Sequence, residues 1–203
     1  MQNFFDYHTH DYTRQNAFIS VKAEVLQKDI LCPIGSKFFL EFHPWDLPQF
    51  FSPIDESFLI LAQSEMVYGI GEIGLDKLKI NKTPFDVQLA YFEKLISLAS
   101  TLKKPVMLHI VRAWNEAKKI LAEYPIPAIY FHGFYGKIEF LKELLATGIN
   151  VSLNPKMLER EELYNFLRKN PNYIEKIKLE TDDKNLDIKN LYSKLYEGIK
   201  NDR

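Results

Sequence analysis

The sequence predicts an α/β protein, a TIM-like (β/α) barrel distorted or contracted in its first third, with residues 1–203 forming a single domain. Three observations lead there. Short apolar, β-prone runs alternate with longer segments of helical period, the pattern of strand–helix–strand units that wind a parallel sheet. Eight such runs can be counted, the number that closes a barrel. The histidines and several carboxylates stand at or just beyond the C-terminal ends of those runs, the face on which such barrels gather reactive groups.

The candidate strands, in order, are 4–7, 18–23, 37–42, 67–70, 106–109, 128–131, 149–153 and 177–179. Their apolar character is continuous rather than alternating, as expected of strands buried on both faces. Only about ten residues separate the first two, too few for a comfortable crossover helix, hence the expected early contraction. Later helical signals are clear. Thr83-Pro84-Phe85-Asp86 reads as an N-cap, a proline at the first helical position and an acidic residue completing a capping box. Behind it Phe85, Leu89, Phe92, Ile96 and Ala99 mark one helix face. Across 137–146, Ile138, Leu141, Leu144 and Leu145 do the same, and Gly148 follows where a C-terminal glycine is expected. Weaker helical patterns cover 114–122, 161–168 and 187–199.

Composition bounds the function. With 46% hydrophobic and 26% charged residues, the chain is ordinary for a globular protein, and disordered or collagen-like classes drop out. A net charge of -1 carries no footprint of a general nucleic-acid binder, so a nucleic-acid substrate would depend on local lysines and bound cations. The single cysteine, Cys32, excludes an intramolecular disulfide and fits a reducing compartment. No run approaches the roughly 18 apolar residues of a membrane span. The start, MQNFFDYHTHDY, lacks the basic and apolar regions of a signal peptide. The expected location is the cytoplasm, with no membrane and no obligate protein partner.

The chemical residues follow the strands. His8-Thr9-His10 places two imidazoles at i and i+2, which in extended chain point the same way and can share a metal; an isolated His-x-His is also a common surface or capping feature. Asp6 is a candidate outer acceptor. Glu72 lies in Gly69-Ile70-Gly71-Glu72-Ile73-Gly74-Leu75-Asp76, either as a solvated loop carboxylate or as a ligand able to bridge two cations. His109 and His132 each end or follow a strand, where a single histidine is commonly a satisfied core residue; together they repeat the geometry of His8. Asp182 reads as the N-cap of the last helix, or as a carboxylate that binds metal and takes a proton from its water. Glu180 and Asp183 are lesser candidates. Arg112 could hold a phosphate oxygen or a surface carboxylate. Trp45 and Phe134 could stack on a base or simply pack, and Lys77, Lys79 and Lys82 could steer an anion or be a solvated face. Asn154 ends the seventh strand as an outside candidate.

In order, Asp6-x-His8-x-His10, His43-Pro44, Gly71-Glu72-Ile73-Gly74-Leu75-Asp76, Pro105-Val106-x-Leu108-His109, His132-Gly133-Phe134 and Glu180-Thr181-Asp182 resemble the TatD family of metal-dependent hydrolases, often described as deoxyribonucleases. The resemblance implies a TIM-like barrel with one or two divalent metals (Zn, Mn, Mg, Fe or Ni). It implies that His8, His10 and Asp182 hold one metal, that Glu72 bridges, and that His109 and His132 serve a second. His43 would contact the scissile phosphate or bound water. The expected activity is hydrolysis of a phosphodiester, single-stranded DNA or another, with Asp182 and His43 catalytic and Arg112 and Trp45 touching substrate. Amide, lactone or small-ester hydrolysis on the same barrel is the alternative, and a catalytically silent metal-binding protein a third. The chain departs from the family at His109-Ile110-Val111-Arg112, at His43-Pro44-Trp45 and after Asp182, where a proline-rich continuation is usual.

Overall fold

The computed structural model describes residues 4–28, 30–182 and 185–200. In chain order it contains β1 (Asp6–Thr9), β2 (Ala17–Val21), α1 (Ala23–Leu26), β3 (Lys37–Leu40), α2 (Glu56–Gln63), β4 (Val67–Asp76), α3 (Phe85–Thr101) and β5 (Val106–Val111). There follow α4 (Trp114–Glu123), β6 (Ile129–Phe134), α5 (Ile138–Ala146), β7 (Asn150–Leu153), α6 (Glu161–Lys169), β8 (Ile177–Leu179) and α7 (Ile188–Lys200). Strand order in the sheet follows chain order. This is the succession of a (β/α) barrel, and the early contraction is present: no helix lies between β1 and β2, and α1 is a single turn. No helix among the described residues is long and apolar enough to cross a membrane.

Contacts group the residues into two compact units. The first comprises the chain up to Ile19, Pro33–Ser36 and the chain from Tyr130 onward. Within it β1 pairs with β2, β6 with β7 and β7 with β8, all parallel. A parallel bridge between Thr9 and Asp182 joins the end of β1 to the residues after β8. Its core includes Val151, Leu153, Leu179, Leu141, Leu144, Leu163 and Leu167, all fully or almost fully buried. Each such side chain stabilises by about 1.5–3 kcal/mol.

The second unit comprises Ser20–Cys32 and Lys37–Ile129. Here β3 pairs with β4 and β4 with β5, again parallel. The apolar face of α3, with Tyr91, Phe92, Leu95, Ile96 and Ala99 buried, packs on β4, while Phe38, Phe39, Ile70, Met107 and Leu108 complete the core.

Three sequence expectations need correction. The strand expected to end at residue 70 runs on to Asp76, so Glu72 lies within β4 rather than at a glycine-rich turn. The glycines keep β4 extended against β5: a Cβ at Gly71 would crowd Met107, and one at Gly74 would overlap the His109 carbonyl. Thr83 does not cap α3. Pro84 takes the cap position, extended at ψ 145°, and the Thr83 hydroxyl donates to the Leu47 carbonyl at 2.9 Å. Asp182 is not the N-cap of the last helix, which begins at Ile188.

Candidate metal centre

Three of the candidate ligands, His8, Glu72 and His132, leave the sheet at irregularities of its register. Between Asp6↔Ala17 and Thr9↔Ile19, β1 carries one residue more than β2, and His8 lies in that interval. Between Ile70↔Val106 and Ile73↔Leu108, β4 carries one more than β5, and Glu72 lies there. Between Phe131↔Val151 and Phe134↔Leu153, β6 does the same around His132. A one-residue bulge re-aims a side chain that a regular strand would send to a fixed face.

In the first unit, His8, His132 and Asp182 each offer a ligand atom within 4.8 Å of the others. His8 Nε2 stands 3.6 Å from Asp182 Oδ1, and the His8 and His132 ring centroids are 4.4 Å apart. The His10 ring, just beyond β1, lies 5.0 Å from that of His8. Asp182 adopts a left-handed backbone, φ 54°, and its N–H donates to the His8 carbonyl at 3.0 Å, which fixes it beside β1. Asp6 secures the same junction: its Oδ1 accepts from the Thr181 N–H at 3.0 Å and its Oδ2 from the Thr181 hydroxyl at 2.6 Å. Burial pushes the Asp6 carboxyl above the usual range, against the opposing pull of the Thr181 bonds and Arg14.

In the second unit, His43, Glu72 and His109 form a similar group. Glu72 Oε2 lies 3.7 Å from His43 Nε2 and 3.6 Å from His109 Nδ1. The register explains the placing of His109. It pairs with Gly74, so its imidazole projects between Glu72 and Asp76, which share the face of Gly74 on β4. Asp76 Oδ2 is 3.6 Å from His109 Nε2 and accepts from Trp45 Nε1 at 2.7 Å. Burial would raise the Asp76 carboxyl, but the adjacent His109 and Trp45 N–H groups and the Leu78 N–H hold it below the usual range. His43 Nδ1 accepts from the Trp45 backbone N–H at 3.1 Å. A neutral His43 ring therefore carries its proton on Nε2, the atom facing Glu72.

Trp45 is 41% exposed, edge-on to His43 and His109, with Lys79 Nζ 4.5 Å from its ring centroid. Arg112 is exposed in the turn after β5. Lys77 pairs with Glu116 at 2.6 Å. Phe134 is buried and packs with Phe131 and Phe140. Asn154 caps the turn Pro155–Glu159 by accepting from the Lys156 N–H. Asp183 lies outside the described residues. Two carboxylates the sequence does not single out belong to the site: Asp76, part of the Gly71–Asp76 motif, and Glu180, a lesser candidate. Both are buried against site histidines. The signal available was their strand position, four residues after Glu72 and directly after β8.

These donor sets suit a divalent metal. Around a tetrahedral ion with ligands at about 2.1 Å, ligand atoms stand about 3.4 Å apart. The 3.6 Å separations of His8 from Asp182 and of His109 from Glu72 approach that value. Mixed imidazole and carboxylate ligation suits Zn, Mn, Fe or Ni, and the carboxylates also admit Mg.

Residues 14–193 match the family model described as TatD related DNase. The deoxyribonuclease Tat-D of Schizosaccharomyces pombe is 34% identical over 123 residues, 59% of this chain and 38% of that protein. The 3'-5' ssDNA/RNA exonuclease TatD of Citrobacter koseri is 28% identical over 148 residues, 69% of this chain and 55% of that one. The chain thus spans about half the length of the curated relatives it matches, or less. A hydrolase of the TatD family from Entamoeba histolytica superposes with a TM-score of 0.68 at 20% identity, covering 90% of this chain and 74% of that one. The TatD homologue YJJV of Escherichia coli gives 0.64 at 14% identity, covering 96% and 95%. These two likenesses show the TIM-like barrel fold.

Proposed function

The chain belongs to the TatD related DNase family, and from that membership we propose that it is a divalent-metal-dependent phosphodiesterase that cleaves single-stranded nucleic acid in the cytoplasm. The observation that carries this reading is the pair of largely buried imidazole and carboxylate groups, one in each unit. The substrate class follows the curated relatives, one named a deoxyribonuclease and the other a 3'-5' ssDNA/RNA exonuclease.

His8, His10, His132 and Asp182 would hold metal in the first unit, and Glu72 with His109 in the second. A divalent ion so held supplies a water whose pKa falls towards about 7 and withdraws charge from a phosphoryl oxygen. Asp182, with its side chain 26% exposed, orients the attacking water and accepts its proton. His43 differs from its neighbours. Its Nε2–H is a donor, suited to a phosphate or departing oxygen rather than to ligation. Trp45 offers a half-exposed ring to a base and Arg112 a guanidinium to a phosphate.

End-labelled single-stranded DNA, incubated with metal-stripped protein re-supplied with Mn, Zn or Mg, tests the reading. Cleavage is expected only with metal. Asp182→Asn should lower turnover by about 100-fold or more, the scale of a lost general base, while stability changes by no more than about 1 kcal/mol. Undiminished cleavage by the variant would remove Asp182 from the chemistry. No cleavage by folded, metal-loaded protein would end the nuclease reading.

One observation favours hydrolysis of a small ester or amide instead. The cleft of about 420 Å³ beside His43 is lined by Glu24, Glu41, Asp46 and Asp55, with Lys22 already paired to Asp46. Such a lining repels a polyanion. Metal-dependent turnover of small esters or amides without DNA cleavage would select this second reading.

A further inference from the structure

We propose that Asp76 and Glu180 are positioning residues, each fixing the tautomer and ring orientation of one metal-ligating histidine, and that they assign opposite ring nitrogens to the metal. His109 would ligate through Nδ1 and His132 through Nε2. The inference rests on the metal-binding part of the proposed function and on nothing about substrate.

Both carboxylates are buried, Asp76 at 2% and Glu180 at 0% exposure. Taking a carboxylate out of water is costly unless its oxygens are satisfied. Asp76 is held on every side. Its Oδ1 accepts from the Leu78 N–H at 2.8 Å and its Oδ2 from Trp45 Nε1 at 2.7 Å. Its backbone N–H and carbonyl are both engaged by the Gln88 amide, at 2.7 and 3.1 Å. The bond to Leu78 alone would make Asp76 a turn cap. That role needs neither its burial nor Oδ2, which stands 3.6 Å from His109 Nε2.

Glu180 divides its oxygens similarly. Oε2 accepts from the Gly133 N–H at 3.0 Å and from the Ser152 hydroxyl, which ties the end of β8 to β6 and β7. That structural task uses one oxygen. Oε1 has no hydrogen-bond partner among the described residues and lies 3.7 Å from His132 Nδ1. Both carboxylate–imidazole separations are slightly longer than a hydrogen bond, so the proposal requires each pair to close when metal binds.

An ionised carboxylate only accepts, so the nitrogen facing it carries the hydrogen. His109 faces a carboxylate on both sides, Asp76 at Nε2 and Glu72 at Nδ1, each at 3.6 Å; a metal held by Glu72 would take the Nδ1 lone pair and leave the hydrogen on Nε2, towards Asp76. For His132 the hydrogen on Nδ1 leaves the lone pair on Nε2. Carboxylate–imidazole–metal relays of this kind fix the tautomer and raise ligand basicity.

Nitrogen-15 NMR near pH 8 reads the tautomers without substrate or turnover, for His132 in metal-free protein and for His109 in the Zn-loaded form, where the metal would engage Glu72. The expected result is Nε2–H for His109 and Nδ1–H for His132. The reverse tautomer at either residue, or a mixture, would overturn the proposal. Glu180→Gln adds a second reading. The Gly133 N–H requires the amide oxygen at the Oε2 position, which turns the NH2 towards His132 and demands an acceptor at Nδ1. We expect His132 to switch to Nε2–H and metal affinity, measured by titration with Zn, to fall about 10–100-fold. Unchanged tautomer and affinity in a folded variant would contradict the role. If the variant does not fold, the wild-type tautomers still decide. Wrong tautomers in a protein that binds Zn sink this inference alone; correct tautomers without DNA cleavage sink only the nuclease reading.

Discussion

Asp6 illustrates how much of the site depends on single buried side chains that touch no substrate. Both of its oxygens bond Thr181, and Oδ1 also lies 3.4 Å from the His8 N–H, so one carboxylate aligns β1 with the Asp182 turn. Its carboxyl is raised by burial. A raised acid binds protons more tightly in the folded state. The associated stability is therefore present below the unfolded value of about 3.9 and lost as pH rises through the folded one. Asp6→Asn keeps an acceptor for the Thr181 N–H without a buried charge, and should stay within about 1 kcal/mol of wild type at pH 7 in urea unfolding. Asp6→Ala removes the acceptor of three buried donors, the Thr181 N–H and hydroxyl and the His8 N–H, and should lose about 2–4 kcal/mol. Equal losses would show that the bonds to Thr181 contribute little. Residue type and nearness to a β-prone run made His8, Glu72, His109, His132 and Asp182 legible in the sequence as candidates, although the strands run on past the first four. The partners of Asp76 and Glu180 were not, because a buried carboxylate beside an imidazole and a solvated loop carboxylate look alike until the fold joins them.

At the scale of elements, the strands do more than carry residues to one end. The extra residues in β1, β4 and β6 fall at His8, Glu72 and His132, and pairing register is invisible in a single sequence. The same limit explains the strand ends. The apolar run stops at Ile70, but pairing with β5 carries β4 on to Asp76 through its glycines. The later helices were readable because their apolar faces are periodic, whereas α1 is a single turn and α2 carries Phe58, Leu59, Ile60, Leu61 and Ala62 as one unbroken apolar run. Two glycine substitutions separate the effects. Gly74→Ala drives a methyl into the His109 backbone at the register point that sets the imidazole, and should cost about 3 kcal/mol or more and lower metal content. Gly148→Ala meets open space but must hold φ near 89°, so it should cost about 1 kcal/mol and leave metal content unchanged. Thermal melts with metal analysis compare them. A well-tolerated Gly74→Ala would show that close β4–β5 approach is dispensable.

For the whole molecule, the (β/α) class and its early contraction were legible because strand–helix alternation and connection length are properties of the chain itself. The grouping of the donors was not, since it depends on which strand ends come together. With a net charge of -1, the chain has little long-range attraction for a polyanion, so affinity for such a substrate would come from bound cations. Metal binding by the two groups of side chains is what the proposed chemistry depends on. Anomalous diffraction from crystals loaded with Zn tests that most directly. The expected result is one peak bonded to His8, His10, His132 and Asp182 and another to Glu72 and His109, each at about 2.0–2.2 Å. Ions confined to surface carboxylates, with neither group occupied, would contradict the account.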